Sequence, residues 1–116
     1  MPVSEDYYAF INDQLDGIEG IYSKKMFGGV GYFKDDLMFG GIMEGVFRLK
    51  ADSETIPNFE KYDCSPWQIP GKPIKMPYYE VPQTILEDRS ELKKWVQDAY
   101  LVAKRTKKPK KKKKSS

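Results

Sequence analysis

Apolar residues recur at helical spacing near the start of the chain, where Tyr7, Phe10, Ile11, Leu15 and Ile18 share one face. This predicts an amphipathic helix over residues 4–16. Ser4 is placed to cap it, Glu5 and Asp6 suit the positive end of its dipole, and Gly17 and Gly20 end it. From Ile21 to Ala51 the pattern changes to short apolar runs broken by turn residues. Such runs predict antiparallel strands near residues 21–27, 29–34, 37–43 and 46–51, with two-residue turns at Asp35-Asp36 and Glu44-Gly45.

Residues 52–62 predict a short helix, with Ile56, Phe59 and Tyr62 on one side and Pro57 in its first turn. Five prolines between residues 63 and 82 exclude a helix there. They leave room for short edge strands at Trp67-Gln68-Ile69 and Lys75 to Val81. A last helix is expected, capped at Asp88 or Ser90; Asp88-x-x-Glu91 resembles a capping box, and Leu92, Trp95, Val96, Ala99 and Val102 form its apolar face. Past Ala103 the chain is lysine-rich with Pro109 inside the run, which predicts disorder. The expected fold is α+β: an antiparallel meander with N- and C-terminal helices packed on it. The domain covers residues 1–103, and the tail covers residues 104–116.

The tetrapeptide Met-Phe-Gly-Gly occurs twice, at residues 26–29 and 38–41. A phosphate loop would need its glycines followed by lysine and a helix, but here Lys24-Lys25 precede them and strands follow. With Asp35-Asp36 as the turn, Phe33 faces Met38, Gly31 faces Gly40 and Gly29 faces Ile42. One sheet face then carries Phe27, Gly29, Gly31, Phe33, Met38, Gly40, Ile42, Phe47, Leu49 and Ala51. Gly28, Gly29, Gly31 and Gly40 read as structural, with a glycine hollow on the core face filled by the end helices.

Charge divides the chain. Nine of the 20 basic residues lie from Lys104 onward with no acid among them, leaving 11 against all 17 acids and a net charge of −6 on residues 1–103. The body is acidic and the tail basic. The chain has no histidine and a single cysteine, Cys64, so a Ser-His-Asp triad and an internal disulfide are excluded. The adjacent Asp63 would raise the Cys64 pKa rather than activate the thiol. These features predict a non-enzymatic protein without metal or cofactor. No apolar run approaches the ~18 residues of a membrane span, and the N-terminus has no signal-peptide pattern. A cytoplasmic protein without membrane contact is expected.

Two segments are candidates for binding. Trp67 and the run Tyr78, Tyr79 and Glu80 within Met76 to Pro82 offer aromatic side chains and extended backbone to a protein partner, or an edge strand with one tyrosine buried. In an extended strand Tyr78 and Glu80 point one way while Tyr79 and Val81 point the other. The tail cations are Lys104, Arg105, Lys107, Lys108, Lys110, Lys111, Lys112, Lys113 and Lys114. They either solubilise the chain or hold nucleic-acid phosphates without sequence choice.

Lys25 to Gly31, then Met38-Phe39, Val46 to Lys50, Gly71 to Pro82, and Glu87-Asp88 before the last helix form an ordered series. The series, from about residue 7 to residue 103, resembles the TfoX N-terminal domain family of competence regulators. The resemblance implies an α+β fold and a link to transcriptional regulation of DNA-uptake genes, and together with the two candidate segments it leads to the expectation of a regulatory or adaptor module acting through protein contacts. The chain departs from the full-length regulators in having a lysine tail where they continue into a second domain, and so reads as a single-domain member. The resemblance supplies no catalytic residues.

Overall fold

The computed structural model describes residues 5–26, 29–68, 71 and 75–106. The Ser4 cap and the expected places of Phe27, Gly28 and Ile69 lie outside the described residues, as do the tail cations from Lys107 onward. In chain order the elements are α1 (Glu5–Leu15), β1 (Ile21–Met26), β2 (Gly29–Lys34), β3 (Leu37–Met43), β4 (Val46–Lys50), α2 (Ile56–Glu60), β5 (Pro66–Gln68), β6 (Lys75–Glu80), α3 (Gln83–Leu86) and α4 (Arg89–Thr106). The strands form one antiparallel sheet in the order β1-β2-β3-β4-β6-β5. The fold is α+β, as expected.

Both predicted turns form. Asp35 and Asp36 have φ of 52° and 64°, and Glu44 and Gly45 have 56° and 76°. Two consecutive left-handed residues give a turn whose twist matches that of its flanking strands. Asp88 caps α4, its Oδ1 accepting from the backbone N–H of Ser90 at 3.1 Å and of Glu91 at 3.2 Å.

Pro77 does not confine its strand to an edge, because β6 lies between β4 and β5. Its missing N–H falls where the β5–β6 register shifts, between the pairs Pro66–Tyr79 and Trp67–Met76. A bulge is one of the few interior places a proline fits. On the other side, the Pro77 carbonyl accepts from the Ala51 N–H at 2.9 Å.

The helices gather on one side of the sheet. α4 packs across β3 and β4, α1 lies beside α4, and α2 touches β6. Tyrosine hydroxyls tie α1 to the strands. Tyr32 donates to Asn12 Oδ1 at 2.7 Å, the Phe47 N–H donates to the Tyr7 hydroxyl at 3.0 Å, and Tyr8 and Ser23 hydroxyls meet at 3.0 Å. The core includes Ile11, Val30, Tyr32, Phe39, Ile42, Phe47, Leu49, Leu92, Val96 and Val102, all nearly or fully buried.

This core corrects the expected sheet face. Phe33 does face Met38, but the next pair is Tyr32–Gly40, followed by Gly31–Gly41 and Val30–Ile42. Phe39 has no partner: it is the extra residue of a bulge in β3. The bulge shifts the phase, so Leu37, Phe39, Gly40 and Ile42 belong to the helix side, while Met38 and Gly41 belong to the opposite side. On β2, Val30 and Tyr32 enter the core, and Gly31 and Phe33 turn away from it. Gly31 therefore does not lie under the helices. A side chain there would meet the Phe33 ring and the Met26 methyl instead.

The chain also leaves the body later than expected. Lys104, Arg105 and Thr106 continue α4, whose last turn is held by Thr106 Oγ1 donating to the Val102 carbonyl at 2.8 Å. Arg105 pairs with Asp52 at 2.9 Å and lies 3.8 Å from Glu54, so this cation is engaged by the body. Among the described residues no helix is long and apolar enough to cross a membrane.

Candidate functional site

The sheet side opposite the helices carries a groove of about 280 Å³. Its walls are Met26, Met38, Met43 and Met76 with Trp67 and Tyr78, and Gly29, Val30 and Ile42 form part of its floor. Two glycine positions keep this side low. A Cβ on Gly29 would strike the Ile42 carbonyl, and one on Gly41 would strike the Val30 carbonyl with the Met43 and Met38 methyls just beyond. A side chain at either position would force the strands apart.

The register brings the remaining walls in. Trp67 pairs with Met76, and Tyr78 pairs with Lys50, so the β5–β6 end supplies Trp67, Met76 and Tyr78 to the same side. Burial raises the Tyr78 phenol above its ordinary range, and it stays neutral at physiological pH. Trp67 Nε1 is buried and lacks a hydrogen-bond partner among the described residues. A buried donor left unmatched costs about 1–3 kcal/mol.

Among the described residues, Glu44, on the β3–β4 turn, is the only charged one lining the groove. Arg48 lies close by, its Nε donating to the Met43 carbonyl at 3.3 Å, and it stands opposite Glu80 in the β4–β6 register. Partial burial lowers the Arg48 pKa, while the charges of Glu80 and Glu44 hold it up. Two carboxylates, Glu44 and Glu80, therefore share one guanidinium at this end of the groove. At the β6 end, Lys50 Nζ lies 5.9 Å from the centre of the Tyr78 ring.

Of the sequence candidates, the structure brings Trp67 and Tyr78 together. Tyr79 turns to the helix side, where its ring meets Phe59 at 5.3 Å, and Glu80 is exposed opposite Arg48 without lining the groove. The four methionines were missed, although the sequence holds only five and two stand in the Met-Phe-Gly-Gly repeats. Of the structural glycines, Gly29 lies in the groove floor, Gly31 beside Met26 and Phe33 on the same side, and Gly40 on the core side against Leu49.

Cys64 lies apart from the groove. Burial raises its thiol pKa, and the charges of Glu80 and Asp63 add to the rise. Its alkylation by iodoacetamide should reach half its limiting rate above the ordinary thiol value of about pH 8.5. A midpoint at or below that value would contradict this environment. Among the described residues no cluster of three or more Cys, Asp or Glu side chains is arranged to hold a metal ion.

The geometry defines an α+β module with its helices on one sheet side and a methionine-lined groove on the other. The chain belongs to the TfoX N-terminal domain family, whose model matches residues 13–103. No curated protein matches the chain.

Proposed function

We propose that this chain is a non-enzymatic, cytoplasmic regulatory module of the TfoX type, acting through protein–protein contacts made by the groove side of its sheet. The observation that carries the reading is the placement of Met26, Met38, Met43, Met76, Trp67 and Tyr78 around one concavity. Methionines repack at little cost, and aromatic rings supply contact area with few torsions to fix, so both favour binding of another chain. Family membership supports regulation as the outcome, with competence genes as the first pathway to examine.

A photo-crosslinking residue at Met76 in the intact chain, compared with one at Gln97 on the exposed side of α4, tests the reading in the producing cell. Discrete adducts should form from Met76 and not from Gln97. Adducts from Gln97 alone, or none from either, would remove the groove from consideration.

A second reading concerns nucleic acid. α4 carries the chain toward its basic end, and Lys104 Nζ and Lys34 Nζ lie 5.6 Å and 4.9 Å from the Tyr100 ring centre. Truncation after Thr106 leaves the helix whole and removes seven lysines. DNA binding should weaken and lose most of its salt dependence, each lost phosphate contact flattening the log–log slope by about 0.9. Equal binding by the truncated and whole chains would exclude the tail as the source of affinity.

A further inference from the structure

We propose that the groove takes a partner peptide in which a bulky apolar side chain stands next to a lysine or arginine. The inference rests on the reading of the groove as a protein-contact site and names the chemistry of its occupant. Three features define that chemistry. The methionine and aromatic walls enclose about 280 Å³. That is just below the ~300–1,000 Å³ of pockets for drug-sized ligands, and it suits an apolar side-chain anchor. Glu44 is the only charged residue among the described lining, and it shares the single Arg48 guanidinium with Glu80, which stands opposite Arg48 in the register. A cation beside the apolar anchor matches it, and an acid there would be repelled.

The third feature is the unpartnered Trp67 Nε1. A peptide carries a carbonyl acceptor at every residue and so can offer the Trp67 donor a partner. A purely apolar ligand would leave the cost of the buried donor in place. The chain's own tail does not supply this combination. Residues 107–114 offer lysines with a single proline and no bulky apolar side chain.

Isothermal titration of the full chain tests the proposal, with blocked octapeptides carrying Ile-Leu-Lys-Arg at their centre. Controls carry Ile-Leu-Glu-Glu or Ser-Ser-Lys-Arg. Measurements at physiological salt screen general attraction to the acidic body. The Ile-Leu-Lys-Arg peptide should bind at least about tenfold more tightly than either control. Glu44→Gln should weaken it about three- to tenfold, and Trp67→Phe, which keeps a ring but removes the N–H, about fivefold.

Equal affinity for the Lys-Arg and Glu-Glu peptides, or no change in Glu44→Gln, would overturn the inference. So would tightest binding of the Ser-Ser peptide, which would mark simple charge attraction. Crosslinked adducts at Met76 together with charge-blind peptide binding would reject this chemistry and leave the contact surface standing. Absence of both would reject the two together.

Discussion

Phe39→Ala is expected to destabilise the protein by about 3–5 kcal/mol, the range for removing a fully buried aromatic ring. Phe39 is 0% exposed and sits in the core with Ile42 and Phe47. It reaches that position only because it is the extra residue of the β3 bulge. Uninterrupted alternation in step with the buried Ile42 would bury Met38 and expose Phe39. Met38→Ala, on the groove side, should therefore cost far less than Phe39→Ala. Urea unfolding of the two variants distinguishes the arrangements, and a larger loss in Met38→Ala would refute the bulge.

The second large effect concerns the glycines. Gly40→Ala should cost about 2–3 kcal/mol, toward the upper part of the usual range for overpacking. A Cβ there would lie 2.5 Å from the Arg48 carbonyl oxygen and 2.9 Å from Leu49 Cδ2. The first is backbone inside a paired ladder and the second is a core side chain, so neither can retreat without moving the β3–β4 pair. At Gly31 the nearest atoms are the Phe33 ring edge at 3.0 Å and the Met26 methyl at 3.1 Å. Both belong to side chains on the helix-free side. Gly31→Ala should cost less than about 1 kcal/mol, because lost unfolded-state freedom offsets part of the crowding. Thermal unfolding that ranked Gly31→Ala below Gly40→Ala in stability would place Gly31 under the helices after all.

Much of the fold is legible because local signals agree. Asp35-Asp36 and Glu44-Gly45 mark their turns by composition, Asp88 marks the start of α4, and the first four strand ranges fall within a residue of those observed. The bulge at Phe39 carries no such mark. Phe39 and Met38 are both large and apolar, so period-two alternation reads smoothly in either phase. That ambiguity reversed the sides of Gly31, Phe33 and Met38 and hid the groove. Trp67 and Tyr78 were visible as extended-strand aromatics, but their neighbours come from β1, β2 and β3, between 24 and 52 positions earlier. Long-range register, which no local pattern encodes, assembles the site.

The extent of α4 shows the same limit. Lysine-rich composition marks residues 104–116 as tail, yet Arg105 finds Asp52 across 53 positions of sequence. Cations in the last turn also suit the negative end of the helix dipole. Composition sees the charges, whereas the ion pair depends on where β4 ends.

The central claim is that recognition occurs on the sheet side away from the helices. Methyl-labelled methionine and leucine spectra of the full chain, recorded while the Ile-Leu-Lys-Arg peptide is added, test it most directly. The methyls of Met26, Met38, Met43 and Met76 should shift together along one saturation curve, while Leu101, exposed on α4, stays in place. A shift at Leu101 with the four methionines unmoved would contradict the account.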